Sequence, residues 1–133
     1  MPKFITIGYG DREGYDRTAK TLRNAAHAHD DVLRKSGALM GVAGIPVQVR
    51  NHRAKGVLTE RGPFGLSTLP VAGFTVIDAP TMADAVRMVS QTPCAIAYGV
   101  VEVWPLDQPQ QATNPDELLE VMAALATTSS PKD

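Results

Sequence analysis

The sequence holds a single cysteine, Cys94, among 133 residues, so no disulfide closes within the chain and thiolates alone cannot build a zinc site. Aromatic residues are scarce, at 5%, which leaves few platforms on which nucleic-acid bases could stack. No apolar run approaches the ~20 residues that a membrane helix needs. The opening Met1-Pro2-Lys3-Phe4 lacks the charged-then-apolar pattern of a signal peptide. Neither a Gly-x-Gly-x-x-Gly nor a phosphate-loop pattern occurs, so no nucleotide cofactor is expected. A soluble, cytoplasmic domain with no membrane partner is the expectation that remains.

What is present suits one folded domain: 44% of residues are apolar and the formal net charge is −1. The charge is unevenly placed. Residues 1–61 carry 11 basic and 6 acidic groups, whereas residues 62–133 carry 2 and 8. The basic groups are divided between a helix (Arg17, Lys20, Arg23, Arg34, Lys35) and a hairpin (Arg50, Arg53, Lys55, Arg61). Asp16, Asp30 and Asp31 interrupt the helical set and no aromatics interleave, so a solvated helix face accounts for the pattern better than nucleic acid.

Residues 3–9 alternate in period two, with Phe4, Thr6 and Gly8 on one side and Ile5, Ile7 and Tyr9 on the other, which predicts a strand. Tyr15, Ala19, Leu22, Ala26, His29 and Leu33 then follow at spacings of three and four, predicting one continuous helix that Gly37 stops. A strand is expected over residues 38–43, and a hairpin over 47–51 and 56–60 with its turn at 52–55. Residues 73–78 read as the central strand. Thr81 with Asp84 caps a second helix whose apolar side is Met82, Ala85, Val86 and Val89, and which Pro93 ends. Residues 97–104 are the last strand, stopped by Pro105. This order predicts a ferredoxin-like α+β domain with an elaborated central hairpin over residues 1–106. Residues 107–126 read as a linker and an extra C-terminal helix opening at Asn114-Pro115-Asp116-Glu117, and 127–133 as a disordered tail.

Arg61-Gly62-Pro63-Phe64, the stretch 71–78, Met82-Ala83-Asp84-Ala85, Pro93 and the stretch 101–106 occur in that order. Together they resemble the YCII-related proteins, and within them the subgroup named for an Asp-Gly-Pro-Phe motif. The opening strand through Asp11 and residues 33–41 resemble that subgroup as well. The resemblance implies a homodimeric α+β barrel, in which two ferredoxin-like sheets face one another around an inter-sheet cavity. Several positions depart from the family pattern. Arg61 stands where the motif has its leading Asp, the stretch after Phe64 lacks the usual acids, Val42 or Ala43 replaces an acid of the second strand, and Ala26 occupies the place of the family's helical histidine.

Among residues able to do chemistry, His29 lies in the apolar stripe, one turn from Ala26. It is either a hydrogen-bonded core group or a general base bordering the cavity. His27 lies off the stripe and reads as solvent-facing, and His52 falls in a turn. His27, Asp30 and Asp31 share a helix segment without a metal-binding spacing, so no metal is expected. Cys94 reads as an inert buried thiol. Arg50, Glu60, Arg61 and Phe64 form a second constellation, with two guanidiniums beside an aromatic to receive an anionic ligand, or a charged sheet edge that resists aggregation. Two functions follow. One is a dimeric protein that binds a small organic ligand, anionic or aromatic, without the usual family acids. The other is a cofactor-independent lyase or hydrolase with His29 as base. A pure dimerisation or regulatory module is a third.

Overall fold

A computed structural model describes residues 1–106 of the chain. In chain order the elements are strand β1 (Lys3–Tyr9), helices α1 (Arg12–Arg17) and α2 (Lys20–Lys35), and strands β2 (Leu39–Val42), β3 (Val47–Arg50), β4 (Leu58–Arg61) and β5 (Val71–Asp78). Helices α3 (Met82–Val89) and α4 (Pro93–Ile96) and strand β6 (Val100–Leu106) complete it. The expected linker, C-terminal helix and tail lie outside the described residues. No helix among those described is long and apolar enough to cross a membrane.

Four strands form an antiparallel sheet in the order β2-β5-β1-β6, while β3 and β4 pair as a separate hairpin. The domain is therefore mixed α+β. Alternation along β1 divides the sheet. Phe4, Thr6 and Gly8 are buried on one face, and Ile5, Ile7 and Tyr9 lie half-buried on the other. The core forms on the first face from Phe4, Ile77, Ala79, Ala85 and Val89, with Ala38, Met88, Val101 and Val103 packed on it. Helix α2 adds Ala26 and Leu33. Each of the larger groups contributes about 1.5–3 kcal/mol by leaving water. The second face carries exposed apolar groups, including Leu39, Phe74, Val100 and Trp104.

Four expectations are corrected. The first helix is not continuous. Thr18 turns extended at the end of α1, its Oγ1 donating to Gly14 O at 2.9 Å, and α2 begins afresh after Ala19. The hydroxyl satisfies a last-turn carbonyl, a side-chain capping effect that helical periodicity does not register. Leu22, placed in the buried stripe, is exposed, as are Met82 and Val86 in α3. Pro93 does not end α3, which stops at Ser90. It opens α4, where its missing N–H is one that would lack a partner in any case. Pro105 does not stop β6 but lies within it, opposite Phe4, because β6 is an edge strand. The Thr81 cap stands as expected, with its Oγ1 accepting from Asp84 N at 3.1 Å. Gly37, at φ 110°, ends α2.

Candidate functional site

Across the helix-covered face, Gly8 of β1 stands opposite Gly73 of β5, so two adjoining strands present bare backbone. The next pair is Thr6 opposite Thr75, and Met40 of β2 lies beside Thr75. Above this floor α2 contributes His27, Asp30 and Arg34, and α4 contributes Cys94. The space between is a cavity of about 720 Å³, within the range of small-molecule sites, about 300–1,000 Å³. A Cβ built on Gly8 would lie 2.8 Å from Cys94 Sγ, and one on Gly73 2.8 Å from Gly41 O. Glycine at these two positions is what keeps the floor low.

Gly99 fixes the wall. A Cβ there would come within 2.3 Å of Tyr9 O and 2.4 Å of Cys94 O. The turn before β6 thus holds α4 close against the end of β1, and Cys94 over Gly8. Gly14 similarly lets α1 rest on the end of α4, since its Cβ would meet Ala97 O at 2.9 Å.

The polar groups around the cavity are mostly committed. Tyr15 Oη and His27 Nε2 share a hydrogen bond of 2.7 Å, with the two rings edge to face. Arg34 pairs with Asp31 at 2.9 Å and Arg12 with Asp16 at 3.4 Å. Asp11 caps α1 by accepting from Gly14 N at 2.8 Å. Asp30 differs, because its Oδ1 is buried and meets no donor among the described residues. Burial pushes the Asp30 carboxyl above the ordinary carboxylate range, against the opposing pull of Arg34, His27 and His29. Burial likewise raises the Cys94 thiol, and the charge of Asp30 raises it further. A thiol so placed is a poor nucleophile.

The structure places His29 elsewhere. Its Nε2 lies 2.5 Å from Met88 O, tying α2 to α3, and it does not line the cavity. His27, read as solvent-facing, is exposed yet lines the cavity. His52 is exposed in the hairpin turn.

The second constellation is partly assembled. Arg50 and Glu60 form an ion pair across the hairpin, and the Arg50 guanidinium sits 5.9 Å from the centre of the Phe64 ring. Arg61 does not join them. It stands opposite Val47, whereas Arg50 stands opposite Leu58, so the two residues are offset by about 10 Å along the strands and lie on opposite faces. Glu60 neutralises Arg50, which leaves no paired-arginine anion site. None of these four residues lines the cavity.

On the open sheet face, Glu102 Oε1 accepts from Tyr9 Oη at 2.8 Å and from Trp104 Nε1 at 3.2 Å. The bond to Glu102 raises the Tyr9 hydroxyl above its ordinary value, with burial and the carboxylate charge adding to it. Asp78 is held below the usual range by its 2.8 Å bond to Lys3.

Asp30, Gly8 and Gly73 were not among the residues that the sequence singled out for a site. A signal for the first exists: 27, 30 and 34 form a second stripe, one position beyond the buried 26, 29 and 33, which marks the margin of the packed helix face. Among the described residues no group of three or more His, Cys, Asp or Glu is placed to hold a metal ion. No protein-family model and no curated protein matches this chain.

Proposed function

We propose that this protein is a YCII-related, ferredoxin-like homodimer that binds a small organic ligand in the cavity between its sheet and helices α2 and α4. The observation that carries the reading is that cavity. It has a side-chain-free floor at Gly8 and Gly73, largely apolar walls, and one carboxyl, Asp30, whose Oδ1 meets no donor among the described residues. Such a combination of apolar enclosure and few polar groups suits ligand recognition.

The strand order supports the ferredoxin-like reading: β1, β2, β5 and β6 are the four core strands, α2 and α3 the two crossovers, and the β3–β4 hairpin an insertion between the middle pair. The dimer reading is supported by the open sheet face. Leu39 and Trp104 there are 73% and 54% exposed, and a contiguous apolar sheet face of this kind calls for a covering partner. The inter-sheet cavity that the resemblance implies would need that second sheet. The cavity of a single chain lies on the other face, and the ligand is placed there. Binding rather than catalysis is favoured because His29, the general base of the enzyme reading, is engaged by a backbone carbonyl away from the cavity.

Cys94 is the only thiol of the chain and lines the cavity, so it serves as a built-in reporter. Alkylation by iodoacetamide would be followed in the presence of a library of small aromatic and aliphatic fragments. Ligands that slow the reaction saturably are the expected result. Unchanged alkylation with every fragment would contradict the reading.

A further inference from the structure

We infer that Asp30 is the specificity-determining anchor of the cavity, and that the ligand is a small, largely apolar molecule bearing a hydrogen-bond donor, an alcohol or an amine, rather than a carboxylate or other anion. The inference rests on the ligand-binding reading above and adds to it the chemical class bound.

Most charged groups around the cavity already have partners. Asp11 is spent on the α1 cap, Arg12 on Asp16, and Arg34 on Asp31, and the His27 ring on Tyr15. Among the described residues, Asp30 is the only charged side chain lining the cavity that no hydrogen bond or ion pair occupies. A buried carboxyl oxygen without a donor is costly, and the cost falls when a donor arrives. Gly8 and Gly73 have no side chains to offer one, the hydroxyls of Thr6 and Thr75 in the floor make no bond to it, and α4 places only the weakly donating Cys94 thiol alongside. Asp30 lines the cavity, so a donor carried by the ligand can approach its carboxyl from that side.

The same inventory argues against an anion. Both arginines at the rim are already paired with aspartates, so among the described residues no unpaired arginine or lysine lines the cavity to receive an anion. Most of the lining surface is apolar, with Met40, Pro93 and Val101 among its residues, so the body of the ligand is largely apolar. Burial of the Asp30 carboxyl points the same way, since a group that water solvates poorly gains most from a directed donor.

Three probes that differ only in head group test this: benzylamine, benzyl alcohol and benzoate, titrated calorimetrically into the full chain, with protection of Cys94 from iodoacetamide as a second readout. The amine and the alcohol should bind, benzoate at least about ten-fold more weakly than either. Asp30→Asn should weaken benzylamine about ten- to a hundred-fold, the scale of a charge-assisted hydrogen bond, and leave benzoate no weaker. Asp30→Glu, which keeps the carboxyl, should restore the preference for amine over benzoate. Asp78→Asn, which removes an equal charge beside Lys3, should leave all three unchanged. If all three probes protect Cys94 equally and Asp30→Asn keeps that ranking, the Asp30 inference is overturned while the cavity reading stands. If none binds or protects, both fall.

Discussion

Gly8 and Gly73 face each other across the β1–β5 pair, on the same face of the sheet as the buried Phe4 and Ile77. The two central strands thus lose their side chains at one place, where Cys94 lies close over Gly8. The cavity is a consequence of that pairing together with the close seat of α4, which Gly99 permits.

Adding a methyl group to the floor should close part of the site. Gly8→Ala sets a Cβ 2.8 Å from Cys94 Sγ and 3.2 Å from Cys94 Cβ, so the thiol has to move. The expected cost is about 1–3 kcal/mol of stability in urea unfolding, with fragment affinity reduced about ten-fold or more. A variant that binds as well as the wild type would place the ligand elsewhere.

His29 should behave as a structural group. Replacing it with Ala removes the link to Met88 O, and a stability loss of about 1–2 kcal/mol is expected from the lost bond and the carbonyl it leaves behind. Ligand affinity should change less than two-fold. A selective loss of binding or of turnover at unchanged stability would restore the ring to the site.

The titration of Cys94 should depend on Asp30. The rate of Cys94 alkylation should rise at a higher pH than for a thiol in water, because burial first and Asp30 second hold the proton on sulfur. Asp30→Asn should shift that profile to lower pH without abolishing the elevation, since burial remains. The carboxyl's own sign is opposite to that of a salt-bridged acid. Its folded-state pKa is raised, so its contribution to stability is greatest below its unfolded value and is lost as pH rises through the folded one. Asp30→Asn should accordingly be more stable than the wild type at neutral pH, with the advantage shrinking on acidification. Unfolding curves at several pH values measure this.

The open sheet face should be where copies meet. Wild type is expected to sediment as a dimer at micromolar concentration, and Leu39→Glu or Val100→Glu to sediment as monomers, since both side chains are exposed within one chain and cost the monomer little. A monomeric wild type would remove the dimer reading.

Much of the architecture was legible in the sequence because it follows from local periodicity. The alternation of residues 3–9 and the Thr81–Asp84 cap describe β1 and the start of α3 as found. Periodicity failed where side-chain bonding or strand position intervened, at Thr18 and at Pro105. The hairpin brought Arg50, Glu60 and Phe64 together, as the sequence suggested, but a face alternation separates Arg61 from them. The cavity was not legible. It depends on a register that pairs residues 8 and 73 across most of the domain, and on which margin of α2 overhangs them.

The central claim is that this cavity is a ligand site, and chemical-shift mapping of the full chain tests it most directly. Amide spectra recorded while titrating an amine- or alcohol-bearing aromatic fragment should show saturable shifts that centre on Thr6, Gly8, Asp30, Gly73 and Cys94, and that fade toward the hairpin. Shifts centred on Arg50, Glu60 and Phe64, on the open face around Trp104, or absent altogether would contradict it.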